Sequence, residues 1–303
     1  FGEGKAKVIA GGTDIVGFYK DNVFQTPYEA LINIKNISGL EEIKEEGGVL
    51  KIGALVKLED IGHNPMIKEK YTALALAARY VASPHIREMG TLAGNACQDC
   101  RCWYYRCPNN RFPCIRKGGE ECYSDDGDNR YHSIFGDVKD CLAVNCSDTL
   151  PALIALGASV VTTKRTFLAA DMFPEKEPKK MTILADDEIV VEFHIPEPAA
   201  GSKSFWKKIS ARKSIDFPIV NCGCSVTLSG DTVEDAAICL NAVAHKPYVP
   251  TRAADFIKGE VLNEETAETT GEAAVWGAKA LAMNEYKIQI AKGLVKQTLL
   301  ACK

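Results

Sequence analysis

Apolar and polar positions change period several times along the chain, and the changes mark its elements. KAKVIA (5–10) alternates as a strand does, and IVGFYKD (15–21) spaces its apolar residues as a helix does. The intervening GGTD is then a strand-to-helix turn, with Thr13 and Asp14 as N-cap residues. ALINIK (30–35) predicts a strand, and EEIKEEGGVLKIGAL (41–55) predicts two strands around a Gly-Gly hairpin turn. A helix starts at KLEDI (57–61). KYTALALAARYVASPHIREMG (70–90) predicts an amphipathic helix that offers Leu74, Leu76, Ala77 and Val81 to a core and breaks at Pro84. GTLAGNACQ (90–98) is a second turn of small residues. DTLPALIALGA (148–158) is a helix capped by Asp148, followed by the strand ASVVTT (158–163). DDEIVVEFHIP (186–196) is a strand ended by Pro196, and PEPAAGS (196–202) is a linker. Beyond it, FWKKISARKSIDFPIVNCGCSVTL (205–228) and DTVEDAAICLNAV (231–243) are strand-rich, and segments 264–282 and 284–303 are helical. The fold class is α+β, in more than one domain.

Composition narrows the function classes. Of 303 residues, 46% are hydrophobic and 25% charged, as in a globular protein with a real core. A formal net charge of -4 argues against a nucleic-acid-binding surface. The apolar run LPALIALGASVV (150–161) has the length of a buried element, not of a membrane span. FGEGKAKVIA has no signal-peptide pattern and no initiator Met. A natural segment is expected to precede it, and a removed signal sequence stays open. The cysteines point to a reducing, cytoplasmic setting, because a chain this long and apolar does not need disulfide staples.

Eight of the twelve cysteines lie between Cys97 and Cys146, in a stretch rich in Arg, Asn, Gly, Pro and Asp. Such a segment has too little apolar surface to hold one shape, and a long loop of this kind is usually functional. Bound metal would supply the missing cross-links. Only Cys97 and Cys100 have the paired knuckle spacing that zinc favours, and the other gaps are loose. An iron–sulfur cluster, zinc, and disulfides or free thiols all stay open on spacing alone. Cys222, Cys224 and Cys239 read instead as small apolar residues in strands, and Cys302 lies in ordinary-looking sequence. The turn at Gly11-Gly12 frees backbone N–H groups for an anion such as phosphate, although GGTD also suits a plain strand–helix turn.

AGGTDIV (10–16), GTLAGN (90–95), CSDTLPALIALGASV (146–160), DEIVVEFHIP (187–196) and KISARKSIDFPIVN (208–221) occur in this order. Together they resemble the FAD-binding medium subunit of the molybdenum hydroxylases, the xanthine dehydrogenase and carbon monoxide dehydrogenase family, over essentially the whole chain. The resemblance implies a two-subdomain FAD-binding fold of the PCMH/vanillyl-alcohol-oxidase type plus a C-terminal domain with a three-stranded sheet and helices. The expected boundaries are 1–60 and 61–196 for the subdomains, with an insertion at 97–146, and 200–303 for the C-terminal domain. It implies FAD contacts from Ile9, Ala10, Gly11, Gly12, Thr13, Asp14 and Ile15, and from Thr91, Gly94, Asn95 and Cys97. Ser147 and Asp148 match the family's Ser-Asp pair, Val190 its hydrophobic residue near the flavin ring, and Lys208 its flavin-side lysine.

Ordinary family members have only a few residues between the Gly-Asn turn and the Ser-Asp pair. This chain carries the whole cysteine stretch there. It is similar to the flavin subunit of 4-hydroxybenzoyl-CoA reductase, whose inserted loop binds a [4Fe–4S] cluster. Arg101-Cys102, Cys114-x7-Cys122 and a Cys141 seven residues before Asp148 match, while two gaps differ in length. The implied ligands are Cys102, Cys114, Cys122 and Cys141, with Cys107 as substitute and Cys97, Cys100 and Cys146 as extras. The resemblance further implies a partner subunit with the molybdenum cofactor, another with [2Fe–2S] clusters, a low-potential donor such as ferredoxin, and a dimer of heterotrimers. The expected chemistry is reductive dehydroxylation of an aromatic CoA-thioester-like substrate. The alternatives are oxidative service to a xanthine- or aldehyde-type dehydrogenase, or a zinc-stabilised binding module. No catalytic residue is expected in this chain. His132, His194 and His245 read as isolated, Trp103, Tyr104 and Tyr105 as packing around the insertion, and Lys207, Arg212 and Lys213 as a solvated strand edge.

Overall fold

The computed structural model describes residues 4–24 and 26–303. In chain order the strands and helices begin with β1 (Ala6–Ile9), α1 (Ile15–Lys20) and β2 (Ala30–Asn33), in which β1 and β2 pair in parallel. The hairpin β3 (Ile43–Glu46) and β4 (Val49–Gly53) follows, then α2 (Leu58–His63), α3 (Pro65–Lys70), α4 (Thr72–Arg79), α5 (Pro84–Arg87) and α6 (Leu92–Ala96). After the cysteine-rich stretch come α7 (Thr149–Ala155), β5 (Ser159–Thr162), β6 (Thr166–Leu168) and β7 (Val190–Pro196). The C-terminal unit is β8 (Ser202–Ile209), β9 (Val220–Ser229), β10 (Thr232–Asn241), α8 (Thr251–Ile257), α9 (Glu264–Ala274) and α10 (Tyr286–Leu300). No helix among the described residues is long and apolar enough to cross a membrane.

The second sheet runs β3-β4-β7-β5-β6, and the third, antiparallel throughout, runs β10-β9-β8. The hairpin β3–β4 therefore belongs with β7, Leu50 opposite Ile195 and Ile52 opposite Phe193. This moves the subdomain boundary expected at residue 60 toward the N-terminus, because the strands of 43–53 complete a sheet whose remaining strands lie at 159–196. The main core fills the space between that sheet and α2, α4 and α7, with Leu50, Ile52, Leu74, Leu153 and Phe193 fully buried. A second core lies between the third sheet and α8, α9 and α10.

Other sequence expectations shift by a turn or a cap. The helix expected over 70–90 is two helices, and Pro84 starts the second rather than breaking the first. Ser83 Oγ accepts from Ile86 N–H and Pro84 occupies the first helical position, a start signal that the apolar periodicity hides. The same signal announces α3, where Asn64 Oδ1 accepts from Ile67 N–H ahead of Pro65. The second small-residue turn is the short helix α6, capped by Thr91 Oγ1 on Gly94 N–H at 3.1 Å. Asp14 and Asp148 precede α1 and α7 but cap neither with their side chains.

Candidate functional site

The turn between β1 and α1 is open. Among the described residues, the backbone N–H groups of Gly11, Gly12, Thr13, Asp14 and Ile15 donate to no protein acceptor, and the first such bond past the turn is Val16 N–H to the Gly12 carbonyl at 3.1 Å. Gly12 takes φ of +75°, and a Cβ on Gly11 would fall 1.9 Å from the Met89 carbonyl oxygen. Both positions thus require glycine, one for its left-handed backbone and one because the 89–91 segment passes directly against it. A row of unpaired N–H groups facing outward is a cradle for a phosphate-bearing ligand.

The second turn is closed on itself. Leu92 and Ala93 donate to Val56 and Ala54 carbonyls, and Asn95 and Cys97 donate within α6. The Asn95 carboxamide oxygen accepts from Ser147 Oγ at 2.6 Å and from Thr149 Oγ1 at 2.8 Å, all three buried. Asp148 is also buried and pairs with Lys208 Nζ at 2.8 Å, while Asn221 Nδ2 donates to its other oxygen at 2.9 Å. Burial pushes the Asp148 carboxyl above its ordinary range, and Lys208 works against that rise. Lys208 Nζ also donates to the carbonyls of Tyr80 at 2.7 Å and Asp216 at 3.1 Å, so its three donors are occupied. These residues clamp the two ends of the insertion together and fasten them to β8 and β9.

The structure gathers Ile9, Ala10, Gly11, Gly12, Thr13 and Ile15 at the open turn and Asn95, Ser147, Asp148 and Lys208 at the clamp. Asp14 contributes an unpaired backbone N–H to the turn, while its side chain is engaged elsewhere. Its carboxylate accepts from Asp99 N–H at 2.9 Å and pairs with Arg101 and Arg106, each at 2.8 Å, which ties the insertion to the open turn. The Val190 side chain is buried in the main core. Its neighbours Ile189 and Val191 pack instead with Val8 and Ala10 beside the open turn. The two-residue alternation of a strand explains the exchange.

Residues 2–198 match the family described as the FAD binding domain in molybdopterin dehydrogenase, and residues 206–302 match the CO dehydrogenase flavoprotein C-terminal domain. This chain is an FAD-binding oxidoreductase subunit of the molybdenum hydroxylase family. It is 30% identical over 304 residues to the aldehyde oxidoreductase FAD-binding subunit PaoB of Escherichia coli, covering 97% of this chain and 90% of that protein. It is 26% identical to the carbon monoxide dehydrogenase medium chain of Hydrogenophaga pseudoflava, over 89% of this chain and 78% of that one. The solved structure of carbon monoxide dehydrogenase from Hydrogenophaga pseudoflava that lacks the Mo-pyranopterin moiety superposes with a TM-score of 0.76 at 25% identity, over 99% and 90% of the two chains.

In this flavin subunit the insertion forms a second feature. Cys102, Cys114, Cys122 and Cys141, the four expected ligands, line one small cavity with Tyr104, Tyr105, Arg116 and Ser124. All twelve cysteines are free thiols. Among the described residues no three His, Cys, Asp or Glu side chains converge closely enough to hold a single metal ion. Burial pushes the Cys102 thiol up to about 12, so a metal bound there would displace a proton. His132 Nε2 lies 3.3 Å from Cys102 Sγ, a contact the sequence did not announce. Arg116 is buried, with one guanidinium nitrogen 2.9 Å from Asp99 and another bonded to the Pro178 carbonyl. Burial works against ionisation of Asp99, but Arg116 outweighs it, helped by Tyr105 and Arg106, and holds the carboxyl below its ordinary value. Of the remaining cysteines, Cys100 sits in the small core under the cavity, and Cys146 lies beside Gln98 and Asp99. Cys97 packs on the main core, and Cys107 is half-buried. Tyr104 and Tyr105 pack inside the insertion as expected, whereas Trp103 is exposed and stacks on Tyr131.

Proposed function

We propose that this chain carries FAD in the open turn and a [4Fe–4S] cluster in the insertion, and relays electrons between partner subunits and an external acceptor. The flavin assignment rests on the family match together with the five unpaired N–H groups at 11–15, which suit a pyrophosphate. FAD when bound supplies exchange between two-electron and one-electron steps. The chain's own contribution is to hold the phosphates, to fix the 89–91 segment against the turn, and to keep the clamp closed beneath it. The two-subdomain PCMH-type arrangement belongs to the same reading.

The observation that carries the cluster is the meeting of four thiols, separated by up to 39 positions in sequence, around one cavity. Four thiolates from one wrapping loop are the ligand set that a cubane cluster takes. The partners in this reading are a molybdenum-cofactor subunit and a [2Fe–2S] subunit. Oxidative service is favoured over reductive dehydroxylation, because the relatives are named aldehyde oxidoreductase, nicotinate dehydrogenase and carbon monoxide dehydrogenase. The reductive reading keeps one support, the Cys114-x7-Cys122 spacing within the insertion.

The test is low-temperature EPR of anaerobically purified, dithionite-reduced protein, with iron, zinc and flavin counted in the same sample. About four irons per chain with a fast-relaxing signal supports the cluster. Zinc without that signal turns the thiols into a structural clasp. Gly11→Ala is expected to lose FAD and keep iron. The native complex assayed with NAD and with a viologen separates the two directions.

A further inference from the structure

We propose that Lys117 is the charge partner of the insertion's metal group and raises its reduction potential, an inference that rests on the cluster reading above. Lys117 ends a single 3₁₀ turn (Ile115–Lys117) that begins directly after Cys114. The turn is tightly held. The Cys114 carbonyl accepts from Lys117 N–H at 2.8 Å and from Gly119 N–H at 3.0 Å, and Ile115 N–H donates to the Glu121 carbonyl at 3.0 Å. The side chain therefore springs from the backbone of a candidate ligand.

Its ammonium is buried and, among the described residues, has no hydrogen-bond partner. No carboxylate among them lies within ion-pair distance of it either. The neighbouring Arg116 shows the contrast, because Asp99 and the Pro178 carbonyl satisfy it. Glu120 and Glu121 are next in sequence, yet neither reaches Lys117. Burial works against the charge on Lys117, and the cysteines that offset it once ionised are Cys114, Cys107 and Cys102, in that order. Burying an ammonium without a counter-charge is costly, and proteins avoid it unless an anion completes the site. A metal group held by several thiolates is such an anion. Each electron added makes it more negative, so a fixed positive charge beside it favours the reduced form.

The experiment is an anaerobic potentiometric titration of the intact protein followed by EPR, comparing wild type with Lys117→Met, Lys117→Gln and Lys117→Arg. Iron content and line shape are read on the same samples. Both neutral variants are expected to keep their iron and to show reduction disfavoured about tenfold, about 59 mV for one electron. Lys117→Arg is expected to stay near wild type. A wild-type midpoint in Lys117→Met and Lys117→Gln overturns the proposal. So does loss of iron in both with retention in Lys117→Arg, which would assign the charge to assembly instead of potential. A wild-type protein with zinc and no iron signal fails at the earlier step, the cluster reading itself.

Discussion

Twelve cysteines fall into two regions that treat the same side chain in opposite ways. Cys222, Cys224 and Cys239 are completely buried in β9 and β10. Cys222 and Cys224 pack with Val220, Val226, Ile238 and Leu240, and Cys302 joins them from just past α10 with its sulfur 3.6 Å from that of Cys224. There the thiol is a small apolar filler. In the insertion, Cys102, Cys114, Cys122 and Cys141 stand on irregular backbone around a cavity, with Arg116 and Lys117 close by. What separates the regions is the backbone that holds each thiol. A strand turns successive side chains to opposite faces whatever their chemistry, whereas the insertion sets its thiols on irregular backbone around a shared space.

The strongest way to break this comparison is to remove thiols from each region. Cys102→Ser and Cys141→Ser are expected to lose the iron that wild type holds, and Cys222→Ala to keep all of it, measured by metal analysis on purified protein. Equal losses in both regions would sink the distinction. Next in size is the clamp that closes the insertion. Lys208→Met leaves Asp148 buried without its cation, a loss of about 3–5 kcal/mol in urea unfolding, since removing one partner of a buried pair strands the other. A cost below about 1 kcal/mol, the range of surface pairs, would show that the pair is not the fastening described.

Much of this was legible in the sequence, and the failures share a cause. Strand and hairpin periods located β1, β4, β7, β9 and β10, and the last four bury one face or both. The four-cysteine set came from a resemblance in spacing, and those four residues line one cavity. The caps expected of Asp14 and Asp148 are not made by their side chains, because pattern reading supplies a residue's address but not its partner. Nothing local announces that Asp14 meets Arg101 and Arg106, more than eighty positions away, or that Asp148 meets Lys208 instead of capping α7. Lys287 was missed outright. It lies in an ordinary helical pattern, and the buried carbonyls that receive it come from the insertion and from the end of β10.

Lys287 supplies a gentler test, because it joins the two regions. Its Nζ donates to the His132 carbonyl at 2.7 Å and the Ala242 carbonyl at 2.5 Å, and burial lowers its pKa to about 7. The unfolded chain keeps this proton up to the ordinary lysine range near 10.5, so between about 7 and that value it binds more protons than the folded protein. Stability linked to this residue therefore rises with pH across the window, at up to about 1.4 kcal/mol per pH unit. Lys287→Met should abolish that rise, read as the difference between wild-type and variant unfolding free energies at pH 7, 8 and 9. A flat difference would mean that the ammonium is charged in place and held by its carbonyls alone.

The smallest expected effect sharpens the comparison most. Cys239→Ala removes one fully buried sulfur from β10, on the face opposite Ile238 and Leu240, where the thiol's polar contact is with the carbonyl of the next residue at 3.7 Å. The cost should be about 1 kcal/mol, the ordinary size of a small core truncation, with iron, flavin and midpoint potential unchanged. Burial raises this thiol well above its ordinary pKa, so it stays protonated at neutral pH. Cys102 carries the same kind of rise, to about 12, and yet belongs to the cavity. Burial alone therefore does not tell ligand from filler. A Cys239→Ala variant that disturbed the metal would show that the filler role fails even where the strand demands it. An unchanged one leaves the company of other thiols and cations around a shared space as the property that distinguishes the insertion.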